Sequence, residues 1–363
     1  MVDVLVVSLG STGGLRAVDA ELAGALNRAG ASVALASAEP PRRRMRTLAL
    51  TDLAWALAAR RAARAGLAEH EPGAVIYSTT TAALLWPRPG AIRFDALSAA
   101  NRPGRHGLWQ RPLERRRLGQ ASLLLPQSQG ALDEGGGALD GGQGALDGGP
   151  PRARALSLSL SLVLPVPVEP SGPPRARAER DIAALTYAAN PLKKGLDRVL
   201  RAWASARRPG EELLVAGVSA DALQAARIAL PSEGVRLAGP LPPNEYRALL
   251  RRARVFVCAP RREDYGIAQL ESLADGCQLV TTPAPGPYVA LAIARTLDAR
   301  LVSEDLAGAL RLALDRPAPG YSERAARALA PFSRAAIDRL VRDQLLPRLL
   351  DQAAEPKPWA ADR

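Results

Sequence analysis

Aromatic side chains make up only 4% of this 363-residue chain, which also holds just two cysteines, two histidines and two methionines. Each shortage excludes something. Two cysteines cannot build a disulfide framework. Cys258 follows an apolar run and Cys277 precedes another, so both read as small core residues of a protein in a reducing compartment, with no metal-ligand spacing around them. No stretch reaches the ~18 uninterrupted apolar residues of a membrane span. The opening residues Met1 to Ser8 enter a strand pattern at once, without a basic region, apolar stretch and cleavage site, so secretion is not expected. No aromatic residue interleaves the basic runs and no helix-turn-helix or zinc pattern is present, which argues against nucleic acid as a partner.

What is there is a chain with 47% hydrophobic and 23% charged residues, the proportions of a globular protein, long enough for two α/β domains with a core each. Its net charge is +12, carried mainly by arginine. The clusters Arg42-Arg43-Arg44-Met45-Arg46, Arg60-Arg61-Ala62-Ala63-Arg64 and Arg115-Arg116-Arg117 all fall in the amino-terminal half. They fit two readings, a solvated basic face and a peripheral contact with anionic membrane lipid.

The pattern along the chain is α/β. A strand over 2–8, the loop Leu9-Gly10-Ser11-Thr12-Gly13-Gly14, a helix over about 15–29 with an apolar stripe at Val18, Leu22, Ala25 and Leu26, and a strand over 32–36 make a βαβ opening. The glycine loop lies at the carboxyl edge of the expected sheet, where open α/β sheets hold ligands. Further strands are expected at 74–78, 91–95 and 121–126. From Gly130 the tetrapeptide Gly-Ala-Leu-Asp occurs three times, at 130, 137 and 144, too glycine-rich for a stable helix and too short for a solenoid unit. A surface loop over 129–155 is the expectation, and its aspartates lack the acidic cage calcium needs. A Leu/Ser alternation over 156–163 has strand period. The proline-rich segment 166–174 reads as an extended linker between a domain at 1–165 and a second at 175–332, and 333–363 holds a final apolar helix.

The second half carries the chemistry. A strand over 181–187 leads into Ala188-Ala189-Asn190-Pro191-Leu192-Lys193-Lys194-Gly195 and then a helix, which puts two lysines at the end of a helix dipole that repels cations unless an anion sits there. Further on, the strand 254–260, the loop Arg261-Arg262-Glu263-Asp264-Tyr265, a helix opened by Gly266 and the strand 278–282 form one unit. Glu263 sits on the loop and Glu271 inside the helix, eight positions on. The backbone N–H groups of Tyr265, Gly266 and Ile267 open that helix and suit an anionic or hydroxyl-rich ligand. An ionised carboxylate offers several acceptor sites, which vicinal hydroxyls can fill in pairs.

This arrangement resembles the Glu-x7-Glu motif of the retaining, family-4-like glycosyltransferases of the GT-B fold. The resemblance implies two Rossmann-like α/β domains with parallel sheets facing an interdomain cleft, the second binding a nucleoside-diphosphate sugar. It implies that Glu263 contacts donor-sugar hydroxyls near the reacting carbon, that Glu271 binds the ribose, that Lys194, with Lys193 second, meets the diphosphate, and that an amide at Gly13 or Gly14 approaches the donor phosphate. The final helix would cross back onto the first domain. The implied reaction is transfer of a glycosyl group with retained configuration, without a metal or other cofactor, in the cytoplasm or at the inner face of a bacterial membrane.

Two departures stand out. Where the family has an arginine shortly before Lys-Gly, this chain has Ala188 or Ala189, and Arg261 or Arg262 is the replacement to consider. Where many relatives carry His-Asp, it has Phe94-Asp95. Asp95 is then the residue to orient sugar or acceptor, while His106 reads as an exposed loop residue. These gaps keep two alternatives open, a catalytically silent GT-B binding or scaffold protein and a GT-B sugar epimerase.

Overall fold

The computed structural model describes residues 2–41, 47–102, 104–140 and 160–354. The arginine cluster at 42–46, and the stretch 141–159 with the last Gly-Ala-Leu-Asp copy and the start of the Leu/Ser run, lie outside these. The chain divides into unit 1, residues 1–167 with 334–363, and unit 2, residues 168–333.

Unit 1 is built on a parallel sheet of β1 (Val4–Ser8), β2 (Val33–Ser37), β3 (Ala74–Tyr77), β4 (Ala91–Phe94) and β5 (Leu124–Pro126), in the order β2-β1-β3-β4-β5. Both faces are covered, so β1 is apolar from Val4 to Val7. The two-residue period of a strand sends Leu5 and Val7 to one side, against Ala58, Ala59 and Ala63 of the helix Leu48–His70. Val4 and Val6 go to the other, against Leu22, Ala25 and Leu26 of the helix Gly13–Arg28.

That second side is completed by the carboxyl-terminal segment. Ile337, Val341, Leu345 and Leu349 are buried in the same cluster as Val4 and Val6. A stripe spaced by four drifts by roughly 40° per step on a regular α-helix. Here a π-helical turn at Val341–Leu345, between the helices Arg334–Leu340 and Leu346–Ala354, widens the winding and holds the stripe on the core.

One expectation fails in unit 1. The start of the glycine-rich stretch is a helix, Gln129–Asp140, not a loop. Ser128 caps it, its Oγ accepting from the Ala131 N–H at 3.1 Å, and Ala131 and Leu132 are buried. Burial of that apolar turn offsets the roughly 1 kcal/mol each glycine costs. Beyond 159 the Leu/Ser run lies along β5: Leu124 N–H donates to Leu160 O, and Leu162 N–H to Leu124 O.

Unit 2 holds a second parallel sheet of β6 (Ile182–Tyr187), β7 (Leu213–Ala216), β8 (Val235–Gly239), β9 (Ala253–Cys258) and β10 (Gln278–Thr281), in the order β10-β9-β6-β7-β8. The helix Leu196–Ala206 buries Leu196, Val199, Leu200 and Trp203 at helical spacing. The Trp203 indole N–H donates to Gly234 O at 2.7 Å. The strand order reverses between β6 and β9, and in open α/β sheets the carboxyl ends at such a switch point are where ligands bind. The loops leaving those two strands therefore border the ligand position of such a sheet.

Candidate active site

The loop after β6 and the loop after β9 are tied together by their backbones. Gly195 caps the helix Leu196–Ala206 with φ +64°, and a Cβ there would stand 1.9 Å from the carbonyl oxygen of Ala259. No residue but glycine fits, whatever the ligand. Asn190 turns the first loop, its Oδ1 accepting from Lys193 N–H and its carbonyl from Lys194 N–H, while Arg261 N–H donates to Lys193 O at 3.0 Å. The second loop is pinned from beneath. Glu263 N–H donates to Pro285 O, and a Cβ on Gly286 would come within 2.3 Å of the Glu263 carbonyl oxygen.

This framework sets two lysine–carboxylate pairs side by side. Lys194 Nζ donates to Glu263 Oε2 at 2.6 Å, and Lys193 Nζ to Asp264 Oδ2 at 2.6 Å. Arg262 Nε donates to the other oxygen of Asp264 at 2.9 Å, and the buried Gln269 donates from Nε2 to Glu263 Oε2 at 3.0 Å. Both carboxylates are buried, and the three cations Lys193, Lys194 and Arg262 face them in one cluster. It adjoins the start of the helix Ile267–Ala274, whose N-cap Gly266 has φ +90°. The first-turn N–H groups of such a helix have no acceptor within it and add positive potential.

Glu271 lies on that helix about 6 Å further along its axis than Ile267. Its carboxyl is held above the ordinary glutamate range by burial, against the opposing pull of Arg247. Arg247 Nη1 stands 3.6 Å from Glu271 Oε1. Tyr187, at the end of β6, packs on Tyr246 with ring centroids 5.0 Å apart, and the Glu271 charge raises both hydroxyl pKa values beyond the effect of burial.

Of the residues singled out in the sequence, Lys193, Lys194, Glu263 and Gly266 thus converge at one place. Ile267 and Glu271 follow on the helix that leaves it, and Tyr265 is buried under the turn. Of the two arginines weighed as substitutes, Arg261 is taken up in a bidentate pair with Asp197 at 2.9 and 3.0 Å, whereas Arg262 stands at Asp264 inside the cluster. Ala188 is buried and Ala189 exposed.

Gly13, Gly14 and Asp95 belong to unit 1. Gly13 and Gly14 form the exposed first turn of the helix Gly13–Arg28, whose N-cap Thr12 accepts from Leu15 N–H. A Cβ on Gly14 would meet nothing within 4 Å, so packing gives no reason for glycine there. The glycine that the backbone requires in this loop is Gly10, at φ +56°. Asp95 follows β4 half-buried, and His106 is exposed. Cys258 and Cys277 are free and buried, the Cys277 thiol pushed up to about 12 by burial. Among the described residues no group of three or more His, Cys, Asp or Glu side chains could hold a metal ion, and no helix is long and apolar enough to cross a membrane.

Sequence reasoning missed Asp264, Gln269, Arg247 and Asp275. For Gln269 there was a signal: it interrupts the apolar side of a short helix between Ile267 and Leu270. The lysines had a stronger one, since in this arginine-rich chain lysine occurs only at 193, 194 and 357.

Residues 182–316, which fall wholly within unit 2, match the family model described as Glycosyl transferases group 1. None of the curated proteins matches the chain by sequence. The two parallel sheets and their helices have the GT-B fold of known glycosyltransferases. Anabaena HepE, solved in complex with UDP and glucose, superposes with a TM-score of 0.63 at 14% identity over 95% of this chain and 99% of its own. The sucrose-phosphate synthase of Thermosynechococcus elongatus gives 0.62 at 16%, over 96% and 98%. WaaG, a glycosyltransferase involved in lipopolysaccharide biosynthesis, gives 0.61 at 18%, over 97% and 98%.

Proposed function

We propose that this protein is a retaining glycosyltransferase that moves a sugar from a nucleoside-diphosphate donor, held by unit 2, to an acceptor at an anionic or membrane surface. The observation that carries the reading is the contact of Lys194 with Glu263 at the switch point, doubled by Lys193 with Asp264. The donor's diphosphate would take a share of Lys194, Lys193 and Arg262 and of the amides that open the helix Ile267–Ala274. Glu263, with Gln269 on the same oxygen, would accept from sugar hydroxyls, and Glu271 from the ribose diol.

In the reaction the bond from the anomeric carbon to the diphosphate oxygen breaks, and a bond to the acceptor oxygen forms on the same face. The acceptor's proton leaves toward the departing phosphate oxygen. Charge develops on that diphosphate, and the cation cluster stands where it would be stabilised, worth about 3 kcal/mol per well-placed donor. Glu263 positions the sugar and does not attack. No metal is called for in this scheme, because cationic side chains and helix amides occupy that role.

For the acceptor side, the solvent face of the helix Leu48–His70 carries Leu50, Leu57, Arg61 and Arg64 within one narrow stripe, with Leu50 and Leu57 49% and 41% exposed. Exposed leucine beside arginine on one helix face suits peripheral docking on acidic lipid from the cytoplasm. The departure from the family pattern at Ala188–Ala189 is compatible with activity on this reading, since Arg262 stands at the cluster.

The reading is tested with purified protein and UDP-sugars, UDP being the nucleotide found with Anabaena HepE. Transfer or donor hydrolysis is compared among wild type, Glu263→Ala and Lys194→Ala. Losses of a hundredfold or more are expected in both, and wild-type turnover in both would remove the site assignment.

A further inference from the structure

Arg247 serves three partners at once. Its Nε donates to Asp275 Oδ2 at 2.5 Å, its Nη2 to the carbonyl of Glu169 at 2.7 Å, and its Nη1 stands 3.6 Å from Glu271 Oε1. The other oxygen of Asp275 accepts from Ser171 N–H at 2.7 Å and from its hydroxyl at 2.8 Å. The guanidinium plane is therefore fixed by groups on two other stretches of chain before it reaches Glu271. Only a planar fork can divide its donors in this way, whereas a lysine ammonium could serve one carboxylate well.

Glu271 needs such a neighbour. Asp275 lies four residues on along the same helical path, where two like charges repel. The charged groups that face Glu271 are Arg247, from the helix Pro243–Arg252, and Asp275; Tyr246 from that helix and Tyr187 from β6 also sense its charge. The Glu271 carboxyl is largely buried, so the facing cation weighs more than it would in solvent.

We infer that Arg247 is a positioning residue for Glu271: anchored by Asp275 and the backbone of Glu169, it sets the orientation and charge state in which the carboxylate accepts from a ribose diol. The inference rests on the reading of Glu271 as the ribose contact given above. Burial favours the protonated form of Glu271, and Arg247 opposes it. A protonated carboxyl would lose one of its acceptor sites for the diol. Removal of the guanidinium therefore weakens the ribose contact and moves its loss on acidification to higher pH.

The test uses the full chain and calorimetric binding of whichever of UDP, GDP and ADP binds most tightly, beside its 2′,3′-dideoxy form, from pH 5 to 8. Wild type is expected to prefer the ribose form by about tenfold or more, as for hydrogen bonds to a charged group. In Arg247→Gln the preference should shrink below about threefold, with dideoxy affinity unchanged and the pH midpoint of ribose binding raised. Arg247→Lys should recover part of both, and it decides the matter on the same readouts if the glutamine variant does not fold. A wild-type preference and midpoint retained in Arg247→Gln would overturn the inference alone. Absence of any ribose preference in wild type would instead overturn the reading of Glu271, and the inference with it.

Discussion

Gly195 and Ala259 approach so closely that a Cβ on the glycine would stand 1.9 Å from the alanine carbonyl oxygen. The contact locks the lysine loop after β6 to the acidic loop after β9, and Gly195 sits at φ +64° to allow it. Gly195→Ala should cost the roughly 1–3 kcal/mol of a left-handed non-glycine residue, plus whatever backbone shift relieves the overlap. A lowered Tm together with weakened nucleotide binding is the expected pair of results. Stability and affinity both at wild-type values would show that the loops are not coupled.

Gly14→Ala is the matching control in unit 1. The position is in a helical first turn with open space around it, so alanine should leave stability unchanged or raise it by up to about 1 kcal/mol. If turnover nevertheless falls with stability intact, a ligand approaches that backbone closely. Undiminished turnover would remove Gly14 from the donor site.

The Lys194–Glu263 pair separates stability from function. Lys194→Met leaves a buried carboxylate without its cation, a change that costs about 3–5 kcal/mol in a fully buried pair and less here, where the lysine is partly exposed. The double variant Lys194→Met with Glu263→Gln should regain most of that stability in urea melts yet remain inactive. Activity in the double variant would sink both assignments.

Glu114 gives a pH signature in unit 1. It is buried, with Ser98 N–H donating to its Oε2 at 3.0 Å and the Ser98 hydroxyl bonded to the same oxygen. Burial raises its pKa in spite of those bonds. Its folded pKa thus exceeds its unfolded one. Folding takes up a proton between the two values, and this group's contribution to stability falls as pH rises through that window. Glu114→Gln should raise Tm by on the order of a few degrees at pH 7–8, with the gain vanishing near pH 4. A gain independent of pH would contradict the assignment of the effect to ionisation.

The stripe on the helix Leu48–His70 predicts sedimentation with vesicles containing acidic lipid. Leu50→Ser with Leu57→Ser should weaken binding through lost apolar burial, and Arg61→Glu with Arg64→Glu through charge, the second loss growing smaller at high salt. Equal partition of wild type onto neutral and acidic vesicles would dismiss the docking surface.

The alternation of apolar runs with helical stripes was enough to read parallel α/β sheets, because strands buried on both faces carry near-continuous apolar runs, as Val4–Val7 does in β1 and Val255–Cys258 in β9. The spacing of Glu263 and Glu271 around Gly266 was likewise a local property, fixed by one loop and one helix. Where local pattern misled, at 129–140, the burial of Ala131 and Leu132 outweighed the glycine content. No propensity of that segment registers what lies beneath it.

What sequence alone could not decide is which cation meets which carboxylate. Lys194 and Glu263 are 69 positions apart, and Arg247 and Asp275 are 28. Such pairs exist because β9 lies beside β6 and the helix Pro243–Arg252 lies against the helix Ile267–Ala274, arrangements set by strand order and packing. The sequence determined that two lysines and Glu263 would sit on loops, and Glu271 within a helix, of a parallel α/β half. Tertiary structure brought Lys194 to Glu263, turned Arg261 away to Asp197, kept Arg262 at Asp264 and placed Arg247 beside Glu271. The physical reason is that periodicity encodes which face of an element is buried, while charge pairing depends on what the neighbouring element presents to it.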